Sequence, residues 1–244
     1  MTEPVIDASR TPVQPEWTVA SQQRDFPEWH LGRPLYAVWA VALDDHDVDA
    51  RLEHLRKDLG DLMFPGYVRQ PHITVQVCGF PSATPSLPDD FSGEQLQAHL
   101  DALASGVVGP FDLSVGEGFT FTAAACLAVQ DPTRSLERLR TAWQAVVPTW
   151  DRTPYRPHVT AGLYSGAWSM DGIRARIAAG APTPCLPLRI RHVDWMCYES
   201  GRIAGPLHTL LRFDLERCQL HVVDEVRFLA VFTSPSVPQE AQVT

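Results

Sequence analysis

Lysine is almost absent from this chain: Lys57 is the only one among 244 residues, and the formal net charge is −9. A broad basic surface for a long nucleic acid is therefore not expected, and a nucleic-acid ligand would have to be small or held end-on in a local cationic cleft. Long apolar runs are lacking too, so no membrane span is predicted. The first residues, MTEPVIDASR, lack the basic-then-apolar pattern of a signal peptide, so we expect a cytoplasmic protein.

The five cysteines form no CxxC pair and are widely spaced, which favours reduced thiols over a disulfide framework or a zinc site. The acidic stretch DDHDVD (44–49) suggests a metal site, but acidic residues at a helix start also satisfy free N–H groups, and we favour that interpretation. No other set of ligands is evident. The sequence therefore predicts neither a metal nor a cofactor.

Segments with little periodicity flank a domain-sized central region. Residues 1–33 are interpreted as a partly disordered N-terminal extension that Trp17, Phe26 and Trp29 can pin to the body, and residues 233–244 as a tail. Between them, 34–232 is predicted to be one domain, monomeric by default. Its expected helices lie near 45–59, 92–105, 132–147 and 170–179, and its expected strands near 34–44, 72–80, 111–121, 125–130, 157–164, 188–199, 207–215 and 219–232.

Two stretches are nearly alike: RQPHITV places His72 and Thr74, and YRPHVTA places His158 and Thr160. Two such Pro-His-aliphatic-Thr phrases arise by chance with a probability on the order of 10⁻⁴. Each follows a predicted helix, and these helices also share a phrase, Leu52-Glu53-His54-Leu55-Arg56 against Leu136-Glu137-Arg138-Leu139-Arg140. The order strand, helix, loop, strand thus occurs twice, which predicts a pseudo-twofold α+β protein of two lobes.

The spacing within each phrase has a chemical use. Residues i and i+2 of a strand project from the same face, so His72 points with Thr74 and His158 with Thr160. With the two strands side by side, two imidazoles and two hydroxyls line one cleft. One neutral histidine can take a proton from an attacking oxygen while the other, protonated, gives one to a leaving oxygen. The hydroxyls can donate to the non-bridging oxygens of a phosphate, where charge develops.

These doubled motifs, with YAVWAVAL leading and VDWMCYES trailing over residues 34–215, resemble the two-histidine (2H) phosphoesterase superfamily. The likeness is to its bacterial 2′-5′ RNA ligase-like or cyclic phosphodiesterase branch. The resemblance implies a bilobal fold of antiparallel-rich sheets flanked by helices, with a central cleft, and a catalytic set of His72, Thr74, His158 and Thr160. It also implies metal-independent hydrolysis of a cyclic (2′,3′-type) or 2′-linked nucleotide phosphodiester, with a nucleotide or RNA end as the ligand.

Two other functions fit the same residues: the reverse joining of RNA ends, and a non-catalytic module that binds nucleotides or RNA ends. Four further side chains are candidates for substrate binding. Arg69 and Arg156 can hold a phosphate or base, or equally make surface pairs. Tyr164 and Tyr198 can stack on a nucleobase, although packing in the core or at the rim of the cleft is favoured for each.

Overall fold

The computed structural model describes residues 15–151, 153–180 and 184–232. Its strands are β1 (Leu35–Ala42), β2 (His72–Pro81), β3 (Asp90–Phe91), β4 (Phe111–Thr120), β5 (Ala124–Gln130), β6 (His158–Leu163), β7 (Leu186–Ile190), β8 (His192–Glu199), β9 (His208–Asp214) and β10 (Gln219–Val222). Its helices are α1 (Pro27–His30), α2 (His46–Leu59), α3 (Gly93–Ala104), α4 (Ser135–Val146), α5 (Met170–Ala179) and α6 (Glu225–Val231). The predicted tail over 233–244 lies outside the described residues.

The strands form two sheets. The first has the order β10-β9-β8-β1-β2-β3 and the second the order β6-β5-β4-β7. Neighbouring strands are antiparallel except for the parallel pair of β2 and β3. Each sheet with its packed helices is one lobe, and β2 of the first lobe lies against β6 of the second. The predicted fold, bilobal α+β with antiparallel-rich sheets flanked by helices, is confirmed.

The two histidine-bearing strands are paired in the same register. In the first lobe, β2 pairs with β1 so that His72 faces Ala42. In the second, β6 pairs with β5 so that His158 faces Ala128. The histidines are 86 positions apart in the sequence, and so are their partners. The predicted repeat of strand, helix, loop and strand is therefore present as β1-α2-β2 and β5-α4-β6, down to the register of the strands.

The helices of the two repeats cross between the lobes. Helix α2 follows β1 but packs on β5 and β6 of the second lobe, whereas α4 follows β5 but packs on β2 of the first. The apolar stripe of α2 is fully buried there, as its spacing predicts (Val48, Leu52, Leu55, Leu59). Asp45 caps the start of α2 by accepting from the N–H groups of Asp47 and Val48, at 3.0 and 3.1 Å. The N-cap interpretation of DDHDVD is thus confirmed.

Three element predictions need correction. The run 219–232 is not one strand, because the Asp224 side chain accepts from the N–H of Arg227 and so caps helix α6. The run 188–199 is two strands, since β7 belongs to the second sheet and β8 to the first. Helix α4 begins at Ser135 rather than near Pro132, because the Asp131 carboxylate accepts from two backbone N–H groups at the helix start. In each case an aspartate or a change of sheet interrupts an otherwise continuous pattern.

The described part of the N-terminal extension lies on the body of the protein. Trp17 forms an isolated bridge with Ser169, and the Trp29 ring packs 5.1 Å from that of Tyr36. The Phe26 ring lies under the Arg24 guanidinium, 3.8 Å from it. Of the three aromatic residues singled out in the sequence, Trp29 packs its ring on the body and Trp17 is held through its backbone, whereas the given contact of Phe26 is within the extension. Residues 1–14 lie outside the described ranges.

Candidate active site

A cavity of about 410 Å³ opens between β2 and β6. His72, Thr74, His158 and Thr160 all line it, so the structure brings together the four side chains that the sequence predicts on one cleft. The residues between them, Ile73 and Val159, are completely buried on the opposite faces of their strands. Because the two strands belong to different sheets, the cavity lies at the junction of the lobes.

Both imidazoles are oriented by the same contact. Nδ1 of His72 lies 2.7 Å from the carbonyl oxygen of Gln70, and Nδ1 of His158 lies 2.8 Å from that of Arg156. A carbonyl oxygen only accepts, so Nδ1 carries the proton and donates it, which leaves Nε2 free as an acceptor in the neutral ring. In both phrases a proline stands between acceptor and histidine, and its fixed φ holds that turn of the backbone. This explains why Pro-His is repeated.

The surroundings of the two histidines differ. His72 is buried, with 8% of its surface exposed, and burial lowers its pKa to about 4, with smaller contributions from the charges of Arg69 and His158. His158 is half-buried, with the Phe121 ring 5.0 Å away and nearly perpendicular to the imidazole. Burial, followed by the charge of Arg156, lowers its pKa as well. Both rings are therefore neutral near pH 7.

Thr160 has two polar neighbours at the floor of the cavity. The Sγ of Cys126, on the adjacent strand, lies 4.0 Å from the Thr160 hydroxyl, and Thr160 also lies close enough to the Tyr67 hydroxyl to affect its pKa. Burial raises the pKa of Tyr67 to about 12, so its hydroxyl is protonated at neutral pH. Tyr67 also lines the cavity. It was not predicted from the sequence, because only its position five residues before His72 marks it.

The predicted substrate-binding residues fall in three places. Arg69 and Tyr198 line the cavity, with the Arg69 guanidinium 3.9 Å above the Tyr198 ring. Arg156 lies 3.7 Å above the Phe119 ring and lines a second groove of about 920 Å³, between α2, α5 and β4. Tyr164 is completely buried, and its hydroxyl lies 2.6 Å from that of Thr120. The structure therefore places Tyr164 in the core and Arg156 beside the cavity rather than in it.

Other cavity-lining residues come from segments without a recognisable motif. The loop after β8 contributes Ser200, Arg202, Ile203 and Ala204, and the N-terminal extension contributes Phe26 and Trp29. Arg202 adds a second guanidinium beside Arg69. The position of these residues depends on how distant parts of the chain pack, which the sequence pattern does not reveal.

One arginine on each of the helices α2 and α4 bonds that helix to the histidine strand of the other repeat. Nε of Arg56, on α2, donates to the carbonyl oxygen of Ala161 at 2.8 Å, and Nη1 of Arg140, on α4, donates to that of Val75. Both acceptors lie three residues beyond a cleft histidine. The arginines are the last residues of the shared helix phrase, so this reciprocal contact, which we call the arginine clasp, is part of the repeat.

Comparison with known proteins agrees with this geometry. A family model described as the 2′-5′ RNA ligase superfamily matches residues 40–202. The chain belongs to the 2′-5′ RNA ligase superfamily. The predicted resemblance to two-histidine phosphoesterases is thereby confirmed, and both motifs lie within the matched region.

Solved structures are similar at low identity. The chain is 19% identical to TT0787 of Thermus thermophilus, covering 74% of this chain and 98% of that one, with a TM-score of 0.47. It is 18% identical to E. coli LigT complexed with NADP+, covering 75% and 99%, with a TM-score of 0.47. The corresponding values for E. coli LigT complexed with 3′-AMP are 19%, 75%, 99% and 0.48. No curated protein sequence matches the chain significantly.

Over residues 15–151, 153–180 and 184–232, no helix has the length and apolarity needed to cross a membrane. Within the same described ranges, no three His, Cys, Asp or Glu side chains are grouped as metal ligands.

Proposed function

We propose that this protein is a phosphodiesterase that hydrolyses a cyclic (2′,3′-type) or 2′-linked nucleotide phosphodiester by acid-base catalysis with His72 and His158. The observation that carries this proposal is the geometry of the two rings. Each donates from Nδ1 to a backbone carbonyl, which leaves Nε2 free, and both rings line one shared cavity. A phosphate held between them has a proton acceptor on one side and a proton donor on the other, as in-line displacement requires.

The difference in burial supports a division of the two roles, which we include in the proposal. His72 is the more deeply buried ring and stays neutral, so its Nε2 acts as the general base that removes a proton from the attacking water. His158 is more accessible to solvent, and an anionic substrate beside it favours its protonated form. Because the positive charge of a protonated His158 lowers the pKa of His72, protonation of one ring opposes protonation of the other.

The proposed chemical step is the displacement of a sugar oxygen from phosphorus by water. The water oxygen forms a new bond to phosphorus while His72 takes its proton, and the bond from phosphorus to the leaving sugar oxygen breaks as His158 donates a proton to that oxygen. Thr74 and Thr160 donate to the non-bridging oxygens, whose charge increases in the transition state. After one turnover His72 is protonated and His158 is neutral, and exchange with solvent restores both. Arg69 and Arg202 supply positive charge at the cavity wall.

A substrate panel tests the proposal. Purified protein in EDTA is incubated with nucleoside 2′,3′-cyclic monophosphates, ADP-ribose 1″,2″-cyclic phosphate and 2′-5′-linked dinucleotides, beside a His72→Ala/His158→Ala double variant. Turnover of one class that is lost in the variant supports the proposal. Activity that survives in the variant, or that requires an added metal, contradicts it. A parallel incubation with tRNA halves measures the ligase direction, in which the same two groups exchange roles.

A further inference from the structure

The described part of the N-terminal extension spans the catalytic cleft. We call residues 16–33 the strap. At its beginning the strap is bonded to the second lobe: Thr18 is buried and its hydroxyl donates to the carbonyl oxygen of Gly166 at 2.7 Å. The backbone N–H of Val19 donates to the carbonyl oxygen of Thr122 at 2.8 Å. This end of the strap is therefore fixed to the loops at the edge of the second sheet.

At its other end the strap is bonded to the first lobe. Nη1 of Arg33 lies 2.7 Å from carboxylate oxygens of both Asp89 and Asp90, and its guanidinium lies 3.6 Å above the Phe80 ring. The Trp29 ring packs 5.0 Å from the same phenylalanine. Because the two ends are held by different lobes, the residues between them cross the mouth of the cleft.

Between these anchors the strap presents two aromatic rings to the catalytic cavity. Phe26 and Trp29 both line it. One face of Phe26 is covered by the guanidinium of Arg24, which leaves the remainder of the ring for a ligand. Trp29 keeps 38% of its surface exposed although it packs on Tyr36. Tyr36 in turn lies 5.4 Å from Tyr198, ring to ring, so the aromatic surface continues from the strap to the cavity wall beside Arg69.

The cavity therefore has two chemically distinct sides. Histidines, threonines and arginines converge on the place where we position the phosphate, whereas the strap side is aromatic. A nucleotide has the same division, with an anionic phosphate at one end and a flat π-system at the other, and bases stack on aromatic side chains. The region matched by the family model begins at residue 40, after the strap. Phe26 and Trp29 therefore lie outside the matched region.

We propose that Phe26 and Trp29 form the nucleobase-binding wall of the catalytic cavity, so that the strap selects substrates that carry a base next to the scissile phosphate. This inference rests on the proposed phosphodiesterase function for the position of the phosphate. It deepens that function by separating recognition of the base, which the strap provides, from the chemistry, which β2 and β6 provide. The strap then affects substrate selection and not the proton transfers.

The first experiment compares two substrates. Phe26→Ala is assayed with adenosine 2′,3′-cyclic phosphate and with methyl riboside 2′,3′-cyclic phosphate, which has the same ring and phosphate but no base. Stacking on one aromatic side chain predicts a loss in kcat/KM of about tenfold for the nucleotide and no more than twofold for the riboside. Phe26→Trp is expected to restore the nucleotide rate. Trp17→Ala is the matched control, because Trp17 lies on the strap but outside the cavity.

A binding experiment keeps this inference separate from the catalytic one. Calorimetric titration measures the affinity of wild-type protein and Phe26→Ala for adenosine 3′-monophosphate and for inorganic phosphate. A tenfold weakening for the nucleotide alone supports the base wall even if no cyclic phosphate is hydrolysed. Equal affinities in the two proteins, equal losses for both ligands, or no binding of the nucleotide by the wild type overturns it. Thermal unfolding of each variant shows whether the strap still folds onto the body.

Discussion

The two histidine strands are alike in everything that fixes geometry. Each histidine faces an alanine of the neighbouring strand, donates from Nδ1 to the carbonyl two residues upstream, and has an arginine of the opposite helix bonded to the carbonyl three residues downstream. These contacts are made by the backbone and by residues within the repeat. The repeat therefore explains why the two histidines line one cavity with the same backbone contacts.

The strands differ in what surrounds each ring. His72 is buried and shares the cavity wall with Arg69 and Tyr198, whereas His158 is half-buried and lies against Phe121. Tyr198 comes from β8 and Phe121 from the turn after β4, both outside the repeats, whereas Arg69 precedes β2 within the first repeat. Duplication thus supplies two equivalent groups, and residues that are not repeated give the two rings different surroundings.

Removal of either imidazole is expected to have the largest effect. His72→Ala and His158→Ala should each lower kcat by about 10²–10⁴-fold, because each deletes one of the two proton transfers. Steady-state hydrolysis of the best substrate from the panel measures this. His46→Ala is the control, since that histidine is fully exposed at the start of α2. Retention of most activity in either variant would mean that the rings do not work as a pair.

The stability of the protein in acid should separate the two histidines. The pKa of His72 is about 4 in the folded protein against 6.5 for an unperturbed histidine. The unfolded state therefore binds more protons between these values, and folding is weakened as pH falls from 6.5 toward 4. At pH 4.5 this loss is about 2–3 kcal/mol, which His72→Gln should largely remove.

Urea unfolding at pH 7 and pH 4.5 measures this effect. His158→Gln is the matched variant, and its smaller burial predicts a smaller recovery of stability in acid. Both variants keep the contribution of buried His99, whose pKa burial also lowers to about 4. Equal recovery in the two variants would remove the proposed distinction between the rings.

The threonines should contribute less than the histidines. Thr74→Val and Thr160→Val keep the side-chain shape but remove one donor to the phosphate oxygens, so we expect kcat to fall about 10–100-fold with little change in KM. Thr→Ser at each position keeps the hydroxyl and should retain most of the rate. A loss confined to KM would indicate that the hydroxyls bind the ground state and transition state equally.

Much of the site could be predicted from the sequence because its signals are local. His72 and Thr74 share a face through the two-residue period of a strand, and the stripe of α2 follows from the helical period. The additional wall residues could not be predicted in this way. Phe26 reaches the cavity because the strap is anchored at Gly166 and Asp89, which are far away in the sequence, and no local pattern encodes such a distance.

The arginine clasp can be predicted from the sequence only in part. Arg56 and Arg140 end the shared phrase Leu-Glu-x-Leu-Arg, so the sequence marks both positions. What it does not show is that each arginine acts on the strand of the other repeat, because this depends on the crossing of α2 and α4 between the lobes. The sequence therefore identifies the two arginines but not the carbonyl groups of Ala161 and Val75 to which they donate.

The clasp also gives the smallest predicted effect and the most direct test of the symmetry. Arg56→Met and Arg140→Met keep the aliphatic stem but remove the donors to Ala161 and Val75, so each should lower the free energy of unfolding by about 1–2 kcal/mol. Activity should fall several-fold, because the two strands are no longer held at the spacing that the proton transfers need. Urea unfolding and kcat/KM measure the two effects.

Lys57→Met is the control, since Lys57 is exposed and directly follows Arg56 on the same helix. If the clasp acts as one unit, the double variant Arg56→Met/Arg140→Met will lose less than the sum of the single losses in kcat/KM, because the first break already frees the strands. Strict additivity, or single variants that behave like Lys57→Met, would show that each arginine only packs locally.

Equal losses of stability in the two single variants would show that the two symmetric contacts contribute equally to the free energy of unfolding. A larger loss for Arg140→Met would instead follow from its second contact, in which its guanidinium lies 4.1 Å above the Tyr155 ring, whose hydroxyl donates to the carbonyl of Thr74 at 3.2 Å.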